Sequence, residues 1–128
     1  MVRSEFDIAK RKSTNPLLGR WLIEHMDQWD VAEESEELQP FIEFERSDTG
    51  QFQFDCVHGE MDCRLTQRDG QPAVEFTWDG NDETEHVFGR GWAILNGDEL
   101  NGTIFFHLGD ESGFTARRDA KKSGRKRR

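Results

Sequence analysis

Between Leu18 and Arg118 the chain runs in short stretches in which large apolar residues alternate with polar ones. The stretches cover residues 20–29, 41–46, 51–58, 60–67, 73–78, 85–95, 100–108 and 113–118. Turn-forming residues separate them: Ser47-Asp48-Thr49-Gly50, Gly59, Arg68-Asp69-Gly70, Asp79-Gly80-Asn81, Asn96-Gly97 and Gly109-Asp110. A period of two places every second side chain on the same face of a strand, a pattern that a helix does not produce. With connections this short, each strand must run antiparallel to the one before it. The pattern therefore predicts an all-β protein: a single antiparallel up-and-down β-barrel, or a strongly curved sheet, of about eight strands.

Alternation also assigns the faces. Val74, Phe76 and Trp78 oppose Glu75, Thr77 and Asp79, and Met61, Cys63 and Leu65 oppose Asp62 and Arg64. Leu100, Gly102, Ile104, Phe106 and Leu108 oppose Thr103 and His107, with Phe105 an apolar exception on the polar side. Phe52, Phe54, Cys56 and His58 form another apolar face. The segment 85–94 departs from this order: His86, Phe88, Arg90, Trp92 and Ile94 share one face, while Gly89, Gly91 and Ala93 share the other. If the large face points inward, Arg90 enters an apolar barrel and requires a partner. If a bulge after Gly89 flips the strand, Arg90 lies on the surface.

A length of 128 residues suits one core. Ten Phe and four Trp supply large side chains for it despite a hydrophobic content of only 34%. Residues 16–119 form the predicted barrel domain. Ahead of it, Ser4-Glu5-Phe6-Asp7 caps a predicted short helix over 5–12 within a charged segment, 1–15. The acidic stretch 30–39 reads as a mobile loop over one barrel end. Behind the barrel, residues 120–128 form a basic tail with six positive charges and no acid, read as disordered. The net charge of −9 conceals this division: residues 14–119 hold seven Arg, no Lys and 24 acids. So acidic a body repels phosphate backbones and membrane surfaces, which leaves the tail as the only expected contact with nucleic acid. No apolar run is long enough for a membrane span or an export signal, and a cytoplasmic protein with reduced cysteines is expected.

Leu18-Gly19-Arg20-Trp21 resembles the Gly-x-Trp start of lipocalins and other calycins, in which the Trp closes the base of an up-and-down barrel. The short helix ahead of it, the long first loop and the following meander agree with that resemblance. It implies a calycin-like barrel and an apolar ligand. The residues themselves show no Gly-x-Ser-x-Gly, P-loop, dinucleotide fingerprint or His-Glu-x-x-His pattern. A Gly59-Glu60 turn would set Cys56 opposite Cys63 with His58 beside them, a start on a zinc site. The spacing fits no zinc pattern, so core thiols are the expectation and no metal or cofactor is assigned. A haem barrel with His58 or His86 as axial ligand is a remote alternative, and Asp79-Gly80-Asn81-Asp82-Glu83 reads as a solvated acidic turn. The chain thus reads as a non-enzymatic binding module for a small apolar or anionic molecule at the barrel interior or mouth. Trp78, Phe88, Arg90 and Trp92 line the expected site, Arg90 meeting the anionic group. The alternative is an acidic protein–protein interaction module.

Overall fold

The computed structural model describes residues 15–31 and 39–119. The predicted helix over 5–12, most of the acidic loop and the basic tail lie outside the described residues. Eight strands follow in order: β1 (Gly19–Met26), β2 (Phe41–Phe44), β3 (Thr49–Phe54), β4 (Val57–Arg68), β5 (Gln71–Asp82), β6 (Glu85–Asn96), β7 (Glu99–Phe106) and β8 (Glu111–Arg118). Each pairs antiparallel with the next, and β8 returns to β1, so the barrel is closed. A closed up-and-down barrel of eight strands is consistent with the calycin-like architecture that the opening motif implies. Among the described residues, no helix is long and apolar enough to cross a membrane.

The turns fix the register. Asp69 and Gly70 both take positive φ, 52° and 78°, as a two-residue type I′ turn demands, and Arg68 pairs with Gln71 across it. At the next hairpin but one, Gly97 with φ 69° is the first central residue and Asn96 pairs with Glu99. The turn is therefore Gly97-Asp98, one residue beyond the expected Asn96-Gly97. In β1 the pairing with β8 shifts between Ile23 and His25, so Glu24 and His25 both face solvent before Met26 turns inward again.

Aromatic rings fill the interior of the barrel toward one end. Phe52 stacks on Phe54 at 5.8 Å and meets the edge of Trp78 at 5.0 Å. Phe106 lies 5.1 Å from Trp78, and Trp29 bridges Phe106 and Phe54 at 5.7 and 4.9 Å. Toward the other end, Trp21, Ile23, Ile42, Leu100 and Ala116 are buried. A space lined by Leu17, Phe44, Cys63 and Val74 amounts there to about 10 Å³, roughly one water.

The seam between β1 and β8 is closed by Trp21, which is buried, as expected, and donates its Nε1–H to the Leu17 carbonyl at 3.0 Å. The Arg118 guanidinium lies 4.1 Å above the indole and donates to the carbonyls of Pro16 and Leu18. The last strand is thereby tied to the segment that leads into β1. Partial burial lowers the pKa of Arg118 from its ordinary value, yet arginine stays charged at any physiological pH.

Candidate functional site: the outer wall of strands β4 to β7

Strand β6 pairs without interruption with β5 from Ala93↔Val74 to Glu85↔Asp82, so there is no bulge. Its small face points inward throughout, and its large face points out. The reason is the size of the neighbours. A Cβ placed at Gly91 would lie 2.5 Å from Phe76 Cζ and 2.6 Å from the Thr103 carbonyl oxygen. Phe76 already occupies the space that a side chain at Gly91 would need, and a Cβ at Gly89 would run into the Phe105 backbone. Arg90 is exposed on the outer surface, where Thr77 and Phe105 flank it in register.

The four residues expected to share one site are thus divided by the sheet. Trp78 is a core side chain whose Nε1–H is satisfied by the Phe105 carbonyl at 3.1 Å. Phe88, 43% exposed, is sandwiched on the outside between His86 and His107, at 5.6 and 4.7 Å, and Asp79 contacts His86. Arg90 and Trp92 do come together, in an outer cleft of about 410 Å³. The cleft also takes in Asp62, Arg64 and Arg68 from β4, Glu75 and Thr77 from β5, and Phe105 from β7.

Two of its guanidiniums lie on aromatic rings: Arg68 4.0 Å above Trp92, and Arg90 4.6 Å above Phe105. Stacking uses the face of the guanidinium and leaves its in-plane N–H donors available. None of Arg64, Arg68 and Arg90 lies within 4.0 Å of a carboxylate among the described residues, although Asp62 and Glu75 line the same cleft. Elsewhere the arginines divide: Arg20 pairs with Glu43 at 3.0 Å and Arg117 with Glu24 and Glu99, whereas Arg46 forms no ion pair among the described residues and Arg118 donates to backbone carbonyls.

Arg64 and Phe105 were legible as outward residues and Arg68 only as a turn residue, and the three were not legible as one cluster. The signal lay in the Phe105 exception and in the Asp69-Gly70 turn. Once that turn and the one at Glu83-Thr84 set the register, Arg64 stands opposite Glu75, and Glu75 opposite Trp92. Asp79, Gly80 and Asn81, expected in a turn, are instead residues of β5, which extends to Asp82.

The cysteines require a larger correction. The chain turns at Asp55-Cys56, with Asp55 at φ 52°, and not at Gly59-Glu60. Phe52 therefore pairs with Gly59, and Cys63 with Phe76. Cys56 is exposed at the turn beside Glu83, Cys63 is buried, and His58 projects to the other face of β4 from Val57 and Gly59. Among the described residues no cluster of His, Cys, Asp and Glu is arranged to hold a metal ion.

Burial, reinforced by Asp62 and other acids nearby, pushes the Cys63 thiol up to about 12 from its ordinary 9.0. The unfolded thiol ionises first as pH rises, so its contribution to stability is intact below pH 9 and falls progressively from 9 toward 12. Cys63→Val should flatten the alkaline loss of stability relative to wild type in urea titrations at pH 8 to about 10.5. An identical pH slope for both proteins would show that Cys63 ionises as freely folded as unfolded.

No family model, curated protein or solved structure matches this chain.

Proposed function

We propose that this protein is a non-enzymatic small-molecule binding module that works from the outer wall of a filled barrel. The site is the cleft across β4 to β7, with Arg90 and Trp92 retained from the residues expected on the sequence and Arg64, Arg68 and Phe105 joining them. The observation that carries the reading is the gathering of three of the seven arginines of residues 14–119 in one cleft, without ion pairing among the described residues. Arg20 and Arg117 show that surface arginines of this acidic protein can be neutralised by carboxylates, and what distinguishes the cleft is three guanidiniums that, among the described residues, are left unneutralised side by side. A cleft of this volume is also within the range of small-ligand sites, roughly 300–1,000 Å³. The lipocalin resemblance supports a binding role, but the aromatic packing of the interior favours the outside of the barrel.

The test is a titration of ¹⁵N-labelled protein with a mixture of small aromatic acids, amides and amines. Amide shifts should concentrate on β4 to β7 and leave Phe52 and Phe54 unmoved. Shifts confined to the interior or the barrel ends, or none at all, would overturn the reading.

A protein-interaction role has one observation in its favour. Leu108, 95% exposed, holds a left-handed backbone conformation at φ 56° beside the Phe88 and His107 stack. A large apolar side chain held in solvent by an unfavourable backbone suits docking to another protein.

A further inference from the structure

The composition of the cleft selects among ligands. We infer that it takes a monoanionic aromatic carboxylate, whose ring stacks against a guanidinium already resting on Trp92 or Phe105 and whose carboxylate accepts from the remaining arginine forks. This rests on the outer-wall reading above and narrows it to a ligand class.

Charge decides between the anions. Three guanidiniums against the carboxylates of Asp62 and Glu75 leave the cleft with one formal positive charge. One carboxylate neutralises that. A phosphate monoester brings about −1.5 to −2 at neutral pH and would leave the site negative within a body where 24 acids face seven arginines. Geometry favours a planar partner. The guanidiniums of Arg68 and Arg90 each offer one face to an indole or phenyl ring at 4.0 and 4.6 Å. A flat cation has a second face, and an aromatic ring laid on it repeats the same stacking. Hydrogen bonding completes the fit, because guanidinium forks match the two oxygens of a carboxylate. Asp62 and Glu75 are placed to accept from a hydroxyl or amino substituent on the ring, and they repel a second negative charge.

The experiment uses the full chain and five probes: benzoate, 2-naphthoate, benzamide, benzylamine and phenyl phosphate, followed by ¹H-¹⁵N shifts that include the Trp92 indole. Both carboxylates should perturb Trp92 and Arg90 saturably, with 2-naphthoate the tighter. Benzamide, neutral and of similar shape, should bind about tenfold more weakly or worse. Arg90→Ala and Arg64→Ala should each weaken 2-naphthoate by about tenfold, with Arg90→Lys intermediate because it keeps the charge and loses the fork. Melting curves of the variants confirm that the barrel is intact. If benzamide or benzylamine binds these strands as well as benzoate does, the carboxylate inference fails while the outer-wall reading stands. Tighter binding of phenyl phosphate overturns the monoanion assignment, and no perturbation by any probe overturns both readings.

Discussion

Replacing Trp21 with alanine is expected to destabilise the barrel by about 3–5 kcal/mol, the range for deleting a large aromatic side chain from a core. The indole is 1% exposed, and three separate contacts depend on it. Its ring fills the interior at the first strand, its Nε1–H satisfies the Leu17 carbonyl at 3.0 Å, and its face supports the Arg118 guanidinium at 4.1 Å. Alanine leaves a cavity, an unpaired carbonyl and a partly desolvated cation without its stacking surface. The position adds to the effect, since β1 pairs with both β2 and β8 and is the strand that closes the barrel. Urea unfolding followed by far-ultraviolet circular dichroism measures the loss. A loss below about 1 kcal/mol would show that Trp21 is peripheral, because only surface positions tolerate such a deletion so cheaply.

The strand order and most of the inward faces could be read from the chain because each rests on a local rule, whereas closure, left open between a barrel and a curved sheet, depends on the pairing of β1 with β8. Alternation at Val74-Phe76-Trp78 and Met61-Cys63 identifies the core face, but Leu65 and Leu108, which continue the inward series of β4 and β7 in the sequence, lie exposed at the strand ends, where the barrel no longer covers them. The hairpin at Asp69-Gly70 follows from the left-handed preference of those residue types. The errors arise where local rules conflict. Gly59 reads as a turn residue, yet it lies within β4 because Phe52 and Trp78 press against it: a Cβ there would meet Phe52 Cζ at 2.5 Å and Trp78 Cε3 at 2.9 Å. A glycine that makes room for a ring and a glycine that makes a turn are the same letter in a sequence. That ambiguity moved the turn from Asp55-Cys56 and produced the Cys56, His58 and Cys63 grouping, which the observed register dissolves.

The candidate site was half legible for a related reason. Arg90 and Trp92 attract notice because they share the large face of β6. Their facing, however, depends on Phe76 and on the β7 backbone, one strand away on either side, and their companions Arg64 and Arg68 come from two strands away. Such clusters arise from register between strands, which alternation within a strand does not encode. Once the turns at Asp69-Gly70, Glu83-Thr84 and Gly97-Asp98 are placed, the row Asp62, Thr77, Arg90 and Phe105 follows across four strands.

The orientation of β6 carries the whole functional reading, and neighbouring substitutions of opposite character test it. Gly91→Val should destabilise the protein by about 3 kcal/mol or more, at the upper end for overpacked cores. Even its first carbon would lie 2.5 Å from Phe76 Cζ and 2.6 Å from the Thr103 carbonyl oxygen, and a backbone oxygen paired across β6 and β7 cannot retreat without parting the strands. Arg90→Ala, one residue earlier, removes an exposed side chain and its stacking on Phe105, and should cost less than about 1 kcal/mol. The contrast is large because alternation places adjacent residues on opposite sides of a closed wall. Denaturant midpoints for the two variants give the comparison directly. If Arg90→Ala proved the more damaging and Gly91→Val were tolerated, the large face of β6 would point into the barrel. The outer cleft would then lose both Arg90 and Trp92.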